Sequence, residues 1–414
     1  MTDRTVDFYF DFTCPYAYLA STRIEALATR TGAQLIPKPV VLGGIFQARN
    51  VSQKLFATLG PQKKLHNEAD LRRHATLWNV PLSFPAQHPQ KSVAALRALL
   101  VVGEPYMPLA HRFFEAYWVR GINIENLDGV RQILREAGHD ADTVVAATQK
   151  SEIKDDLRAR TDEAIQIGVF GVPTFLVDGL LFWGQDRMDY VERSLGGTTK
   201  PLPPPTDSSG TDIDFYFDFS SPFSYIGAAR AEEILGPHIN WRPFLLGGLF
   251  KSIGTAIVPL FEQSQAKQQY LLIDAQRQAE RARIPFHWPS RFPMNTVLPL
   301  RVTLAAGSGN DPASQQLVQR IFRAYWGEDA DIMDADVIRE LCDDVGLDGN
   351  ALLQAATERE IKDALRESTD AAVAANVFGA PTTVITTSEQ KSGVFWGNDR
   401  LELARLALDD RSLL

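Results

Sequence analysis

One stretch of sequence occurs twice in this chain of 414 residues, and the duplication limits the folds available to it. Residues 6–20 read VDFYFDFTCPYAYLA, and residues 213–227 read IDFYFDFSSPFSYIG, at a shift of 207 residues. Further matching pairs follow in the same order along both halves: LGG at 42 and 246, YW at 117 and 325, VFGVPT at 169 with VFGAPT at 377, and FWG at 182 and 395. This pattern indicates duplication of a whole domain of about 200 residues, not a solenoid of short units.

The two copies are expected to be separate domains, because 414 residues exceed what a single hydrophobic core usually holds. We predict a first domain over residues 1–195 (the first copy) and a second over 212–414 (the second copy). Residues 196–211 between them contain four prolines and are predicted to be an extended linker.

Within one copy, the pattern alternates between strand and helix. In the first copy we predict a strand at 6–12, a helix from Pro15 to about Thr31 that Gly32 ends, an edge strand at 33–41, and a long helical stretch at about 55–167. A hairpin around Asp178 and Gly179 and a closing helix from Gln185 complete it. This order predicts an α/β protein: a thioredoxin-like fold with a helical insertion, in two tandem copies.

Composition excludes several partners. The net charge of −9 argues against nucleic-acid binding, and no apolar run of about 18 residues predicts a membrane span. With no signal-peptide pattern, a cytoplasmic location is the expectation. The two cysteines lie in different halves, and the seven histidines lack metal-ligand spacing, so we expect neither a disulfide nor a metal.

Each copy has a sulfur or hydroxyl side chain where its first helix begins, Cys14 before Pro15 and Ser221 before Pro222. Bare backbone N–H groups and the helix dipole favour negative charge there, so we expect a lowered pKa and a reactive thiolate at Cys14. Ser221 would donate a hydrogen bond to another molecule's thiolate. The alternative is that both residues only cap the helix. Ala17 stands where a second redox cysteine would lie, which excludes a dithiol cycle in this motif.

Pro173 and Pro381, in VFGVPT and VFGAPT, precede the later strand of each copy. Cis peptide bonds in proteins are almost confined to such X-Pro turns, so we predict a cis bond before each proline.

Together these motifs resemble 2-hydroxychromene-2-carboxylate isomerases and kappa-class glutathione transferases, relatives of the disulfide oxidoreductase DsbA. The resemblance rests on D-F-x-[SC]-P-x-x-Y, the Gly-Gly segment after the second strand, the G-[VA]-P turn and F-W-G-[QN]-D-R, and it covers nearly the whole chain twice. It implies glutathione as cofactor, with its thiolate held by a serine at the helix start. Ser221 matches that serine, whereas the first copy departs from the pattern with Cys14.

The resemblance also implies contacts with glutathione and substrate. The backbone of Val172 or Ala380, beside Pro173 or Pro381, would pair with the cysteinyl part of glutathione. The γ-glutamyl group would contact Gln185, Asp186, Asn398 and Asp399. Glutathione would also contact Asn50, whose counterpart in the second copy is Gly254. The substrate would contact Asn295, whose counterpart in the first copy is Lys91, and the aromatic residues Tyr18 and Tyr225. For the aromatic residues the alternative is a place in the packed core.

Three hypotheses for function follow. The first is a glutathione-dependent isomerase for an aromatic or unsaturated carbonyl substrate, in which the glutathione thiolate adds to an electrophilic carbon and later leaves. The second is monothiol redox or transfer chemistry at Cys14, and the third is a partly degenerate glutathione-binding scaffold. Relatives are typically dimers of single domains, so the fused chain is expected to be an internal pseudo-dimer that works as a monomer. No motif identifies the substrate.

Overall fold

The computed structural model describes residues 4–52, 58–199 and 210–414. These form two compact units. The first unit contains most of the first copy together with Ser264–Lys267, and the second contains most of the second copy together with Gly60–Asp70. Most of the predicted linker, and the predicted start of the helical stretch near Leu55, lie outside the described residues, so the exact domain boundaries stay a prediction.

The first unit is built on a four-stranded mixed sheet in the order β2-β1-β3-β4. Strand β1 runs parallel to β2 and antiparallel to β3, which forms a hairpin with β4. The strand bounds are Thr5–Phe10 (β1), Gln34–Pro39 (β2), Thr174–Val177 (β3) and Leu180–Trp183 (β4). Pro37 and Pro39 lie on the edge strand, where a missing N–H does not interrupt the sheet. Asp178 and Gly179, with φ of 48° and 80°, form the hairpin turn as predicted.

The helices of the first copy surround this sheet. Helix α1 begins at a proline and ends before Gly32, which has a φ of 67°, as predicted. The helix bounds are Pro15–Thr31 (α1), Leu42–Ala48 (α2), Pro61–Leu77 (α3), Val93–Val102 (α4), Tyr106–Trp118 (α5), Leu127–Glu136 (α6), Ala141–Ala147 (α7), Ser151–Gln166 (α8) and Met188–Ser194 (α9), with a 3-10 turn at Gln185–Arg187.

The second unit repeats the sheet in the order β6-β5-β7-β8. Its strands are Thr211–Phe217 (β5), Asn240–Pro243 (β6), Thr382–Thr387 (β7) and Ser392–Trp396 (β8). The helices of the second copy are Pro222–Ala228 (α10), Ala231–Leu235 (α11), Leu246–Ile253 (α12), Gln265–Ala282 (α13), Val297–Ala305 (α14), Pro312–Glu328 (α15), Ala335–Asp344 (α16), Gly349–Ala355 (α17), Arg359–Ala374 (α18) and Leu401–Asp409 (α19), with 3-10 turns at Pro259–Glu262, Asn398–Arg400 and Arg411–Leu413.

The first helix of the second copy differs from its counterpart. Helix α1 is continuous over 17 residues, whereas in the second copy α10 and α11 are two short helices. The shift between the copies falls from 207 at Gly227 to 204 at Leu246, so this stretch is three residues shorter in the second copy. The shorter stretch between Gly227 and Leu246 therefore coincides with the division of this helix into α10 and α11.

Aromatic side chains of β1 fill the core of the first unit. Phe8 and Phe10 are fully buried, and Phe8 stacks against Phe175 of β3 with ring centroids 5.5 Å apart. The indole of Trp118 at the end of α5 donates a 2.8 Å hydrogen bond to the carbonyl of Phe12, and Trp326 does the same to Phe219. These bonds tie the helical insertion to the end of the central strand in both units.

A buried carboxylate follows the central strand in each unit and fixes the loop that leads to the first helix. In the first unit, Asp11 accepts hydrogen bonds from the backbone and hydroxyl of Thr13, the backbone of Leu42 and the hydroxyl of Ser92, all at 2.8–2.9 Å. Burial raises the pKa of Asp11, while these hydrogen bonds lower it.

Asp218 repeats this arrangement in the second unit. It accepts from the backbone N–H groups of Ser220 and Leu246 and from the hydroxyl of Thr296, at 2.7–2.9 Å. Burial again raises its pKa against the opposing hydrogen bonds. One side chain therefore joins the strand–helix loop, the start of the following helix and the start of α14.

We expect Asp218→Asn to destabilise the second unit. The amide nitrogen of asparagine cannot accept a hydrogen bond, so at least one buried backbone N–H loses its partner, at a cost of about 1–3 kcal/mol. Urea denaturation followed by tryptophan fluorescence measures the change in the midpoint.

The control is Asp212→Asn, which removes an exposed carboxylate from the same strand β5 and should leave the midpoint unchanged. Equal midpoints for wild type and Asp218→Asn would show that the buried carboxylate does not hold the loop.

Candidate functional site

The helix start and the cis-proline turn face each other in the first unit. Cys14 precedes α1, and its Sγ donates a 3.0 Å hydrogen bond to the backbone carbonyl of Val172. The peptide bond between Val172 and Pro173 is cis, as predicted. As a thiol, Cys14 makes no capping hydrogen bond with its side chain.

The same juxtaposition occurs in the second unit with a hydroxyl. The Ser221 Oγ donates to the carbonyl of Ala380 at 2.9 Å and accepts from the backbone N–H of Ser224 at 3.1 Å. The bond between Ala380 and Pro381 is cis, as predicted. Ser221 therefore caps α10 and also faces the turn, and its hydrogen bond to another molecule's thiolate stays a prediction.

The expected lowering of the Cys14 pKa is wrong. Burial raises the pKa of the Cys14 thiol to about 12, and the backbone N–H groups of Ala17 and Tyr16 offset this only in part. The nearby carboxylate of Asp11 raises it further. Only 7% of the residue is exposed, so the cost of desolvating a thiolate exceeds the benefit of the helix start.

The FWG segment packs against the cis-proline turn in both units. A Cβ on Gly171 would come within 2.8 Å of the indole nitrogen of Trp183, and a Cβ on Gly379 would collide with that of Trp396. Gly184 and Gly397 have φ of 107° and 105°, a region that side chains other than glycine rarely adopt. These contacts explain why G-[VA]-P and F-W-G occur together in each copy.

Gln185 and Asn398, which the resemblance places near the γ-glutamyl group, are buried and hydrogen-bonded inside their units. The backbone and side-chain oxygens of Gln185 accept from Arg23 at 2.9 and 2.7 Å. The amide of Asn398 donates to Gln278 at 2.7 Å. Their side chains contribute to packing in this structure.

The neighbouring carboxylates Asp186 and Asp399 are partly exposed at the two sites. Each lies 3.3 Å from the guanidinium of the next residue, Arg187 and Arg400. Their roles toward a γ-glutamyl ammonium stay predictions.

Residues of Gly60–Asp70 complete the surroundings of the second site. The Lys63 ammonium lies 4.8 Å from the ring centroid of Trp396, and burial lowers its pKa. His66 Nε2 accepts a 3.1 Å hydrogen bond from the backbone N–H of Trp396, so this nitrogen carries no proton. Asp70 accepts from Arg400 at 2.7 and 3.1 Å, a bidentate ion pair.

The first site has a partial counterpart of these contacts. Lys267, which follows Lys63 by 204 residues, lies 5.1 Å from the ring centroid of Trp183. Sequence reasoning missed Lys63, His66 and Asp70. The pairs Lys63 and Lys267, and Asp70 and Asp274, match at the shift of 204 and were a signal that could have pointed to this segment.

Asp11 and Asp218 belong to the repeated D-F-x-[SC]-P motif, but sequence reasoning did not assign them a structural role. Their invariance between the two copies was the available signal. Both carboxylates lie next to the helix start and hold it in place, as described above.

Asn50 and Asn295 are both exposed. Asn50 has a φ of 55° after α2, and its counterpart Gly254 has 71°, so both positions require a residue that tolerates the left-handed region. The Asn295 side-chain oxygen accepts from the backbone N–H of Val297 at 2.9 Å. No contact in the described part of the chain links Asn50 or Asn295 directly to Cys14 or Ser221.

The tyrosines belong to the packed core. Tyr18 and Tyr225 are 6% and 3% exposed, and their hydroxyls donate to the carbonyls of Pro81 and Pro285 at 3.0 and 2.9 Å. Burial raises the pKa of both phenols to about 12. Neither ring is open to a substrate in this structure.

Within residues 4–52, 58–199 and 210–414, no three His, Cys, Asp or Glu side chains lie close enough together to hold a metal ion. The helices in this described part of the chain include none with the length and hydropathy needed to cross a membrane.

Comparison with known proteins gives two matches to one family model. The DSBA-like thioredoxin domain matches residues 5–196 and again residues 212–409. A 2-hydroxychromene-2-carboxylate isomerase of Sphingobium xenophagum is 32% identical over 203 residues, which cover 46% of this chain and 98% of that protein. Glutathione S-transferase kappa 1 of Rattus norvegicus is 26% identical over 213 residues, covering 48% of this chain and 91% of that protein.

Among solved structures, that of a 2-hydroxychromene-2-carboxylate isomerase covers 46% of this chain and 94% of its own, at 27% sequence identity and a TM-score of 0.40. The chain belongs to the DSBA-like thioredoxin family, as two tandem copies of a domain whose relatives are 2-hydroxychromene-2-carboxylate isomerases and kappa-class glutathione transferases.

Proposed function

We propose that this chain is a glutathione-dependent isomerase of the 2-hydroxychromene-2-carboxylate isomerase type, acting on an aromatic or unsaturated carbonyl compound. The relatives support an isomerase or transferase that uses glutathione. The observation that carries the proposal is the Ser221 hydroxyl, which lies at a helix start and 2.9 Å from the carbonyl of Ala380.

The groups around Ser221 fit glutathione in charge and in hydrogen bonding. Glutathione carries carboxylates, an ammonium group and a thiol. The second site provides a cation at Lys63, a carboxylate at Asp399 and a hydroxyl at Ser221. A cation for one carboxylate of the ligand and a carboxylate for its ammonium group are therefore present in one unit.

Bound glutathione would supply a thiolate nucleophile, which no side chain of the second site provides. Ser221 donates a single proton in a hydrogen bond, and that proton now points to Ala380. Rotation of the hydroxyl would redirect it to a thiolate while Oγ keeps its bond from Ser224. The bare N–H groups at the start of α10 favour the same negative charge.

The first site is proposed to differ in chemistry. Cys14 is protonated at neutral pH because of its raised pKa, and its Sγ is already a donor to Val172. This environment disfavours the monothiol redox hypothesis and is compatible with a thiol that holds a ligand in place. A cytoplasmic location and a monomeric pseudo-dimer stay predictions.

We expect Ser221→Ala to reduce glutathione-dependent isomerase turnover by about 10- to 100-fold, because a hydrogen bond to a charged group contributes about 1.5–3 kcal/mol. The bound glutathione thiol should also show a higher pKa, measured by thiolate absorbance in the ultraviolet against pH. Calorimetry with glutathione separates a loss of binding from a loss of chemistry.

Ser224→Ala is the matched control, because it lies on the same helix and its buried hydroxyl has no hydrogen-bond partner. This variant should keep both turnover and thiol pKa. Ser221→Ala also removes a helix cap worth about 0.5–2 kcal/mol, so its stability is measured in parallel. Unchanged turnover in a folded Ser221→Ala protein would remove the second site from consideration.

We expect Cys14 to react slowly with iodoacetamide and with oxidised glutathione. At pH 8, a thiol of pKa about 12 is a thiolate in only about one molecule in ten thousand, and the rate should rise as pH increases toward that pKa. Peptide mass spectrometry distinguishes Cys14 from Cys342, and unfolding in urea should restore ordinary reactivity to both. A rapid glutathione adduct on Cys14 in the folded protein would instead favour the monothiol hypothesis.

A further inference from the structure

A groove in the helical insertion of the second unit is lined in part by Asn295, which the resemblance assigns to the substrate, but by none of the residues proposed to hold glutathione. It has a volume of about 360 Å³, within the range of small-molecule sites. Its lining residues are Asn295, Val297, Leu298, Arg301, Met333, Ala356, Thr357 and Lys362. None of these described lining residues is acidic.

Two cations line this groove without a counter-ion. Arg301 on α14 and Lys362 on α18 form no ion pair within the described part of the chain. The Arg301 Nε is buried and has no hydrogen-bond partner. A protein with a net charge of −9 has ample carboxylates, so two cations that line one groove without a carboxylate partner favour a site for an external anion.

Asn295 adds a further donor. Its side-chain oxygen accepts from the backbone of Val297 at 2.9 Å, which leaves the amide NH2 group available to the groove. The Thr357 hydroxyl already donates to the carbonyl of Gln354 at 2.7 Å. Arg301, Lys362 and Asn295 can therefore donate hydrogen bonds into the groove. A carboxylate, which only accepts hydrogen bonds, matches these donors.

The rest of the lining is apolar. Val297, Leu298 and Met333 face the groove together with Ala356. Met333 is 46% exposed, a large apolar side chain with little protein packed over it. Such a surface favours a ligand with an apolar body over an inorganic anion.

The first unit keeps the two cations as Arg97 and Lys154 but adds a carboxylate of its own at the equivalent position. Glu125 corresponds to Met333 at a shift of 208, and Lys91 corresponds to Asn295 at a shift of 204. Lys91 and Glu125 lie 3.5 Å apart as an ion pair, and the Lys91 backbone also donates to Glu125 at 3.2 Å. The first unit thus has the carboxylate of Glu125 at the position where the second unit has Met333.

We propose that this groove binds a small carboxylic acid with an apolar body, in its carboxylate form. Arg301 and Lys362 hold the carboxylate, and Val297, Leu298 and Met333 contact the apolar part. The site is present in the second unit and is replaced by an ion pair in the first. Its occupation does not require glutathione or Ser221.

The test uses benzoate as the probe, with the full-length protein and isothermal calorimetry. Benzoate should bind the wild type, and Met333→Glu should weaken its affinity at least about tenfold, because it installs the carboxylate that the first unit carries. Arg301→Gln should weaken it to a similar extent. Met333→Gln is the matched neutral control and should change the affinity less than about threefold.

Two further ligands define the specificity. Benzamide, a neutral molecule of the same shape, and inorganic phosphate should both bind much more weakly than benzoate. Ser221→Ala should bind benzoate like the wild type, which separates this proposal from the proposed function. The proposal is overturned if wild-type protein does not bind benzoate, if Met333→Glu binds it with unchanged affinity, or if phosphate or benzamide binds as tightly.

Discussion

A buried carboxyl group lies next to the start of the first helix in each unit, and within the described residues it has no cationic partner. Asp11 and Asp218 each accept hydrogen bonds from two backbone N–H groups that come from different segments, and from hydroxyl groups. These hydrogen bonds offset the free energy cost of burying the carboxyl oxygens. The loop that holds Cys14 or Ser221 therefore has its position set by a network, not by its own sequence.

The same carboxylate also determines local structure elsewhere. Two adjacent glycines, as in the LGG segment, disfavour a helix. The structure shows helices at Leu42–Ala48 and Leu246–Ile253 instead. Leu42 and Leu246 donate their N–H groups to Asp11 and Asp218, so a distant side chain satisfies the helix start and outweighs the local propensity.

Local backbone structure that depends on neighbouring residues could be predicted from the sequence. Properties that depend on burial in the folded protein could not. The helix beginning at Pro15, the turn at Asp178 and Gly179, and the cis bonds before Pro173 and Pro381 follow from the residues themselves. The Cys14 pKa does not, because desolvation depends on what packs over the sulfur and here exceeds the effect of the helix start. For Tyr18 and Tyr225 the sequence allowed either pocket wall or core, and only tertiary contacts decide between them.

Both copies retain the fold, but the side chains at their candidate sites differ. The scaffold contacts recur in both units: the indole bond to the strand end, the buried carboxylate, and the glycine against the tryptophan. The positions that differ are those with freedom to change, such as Cys14 against Ser221 and Glu125 against Met333. Duplication thus gave one chain two candidate sites that share these scaffold contacts and differ in the side chains around them.

The composition of the compact units has a consequence for how the chain can be divided. The second unit includes Gly60–Asp70, which the gene encodes within the first copy, and the first includes Ser264–Lys267 from the second copy. If the chain were cut at the proline-rich stretch, the fragment with the second copy would lack Lys63, His66 and Asp70. In that fragment the backbone N–H of Trp396 would lose its bond to His66, and the guanidinium of Arg400 would lose its bonds to Asp70. Each half, cut in this way, would therefore lack a segment that the compact unit contains in the full chain.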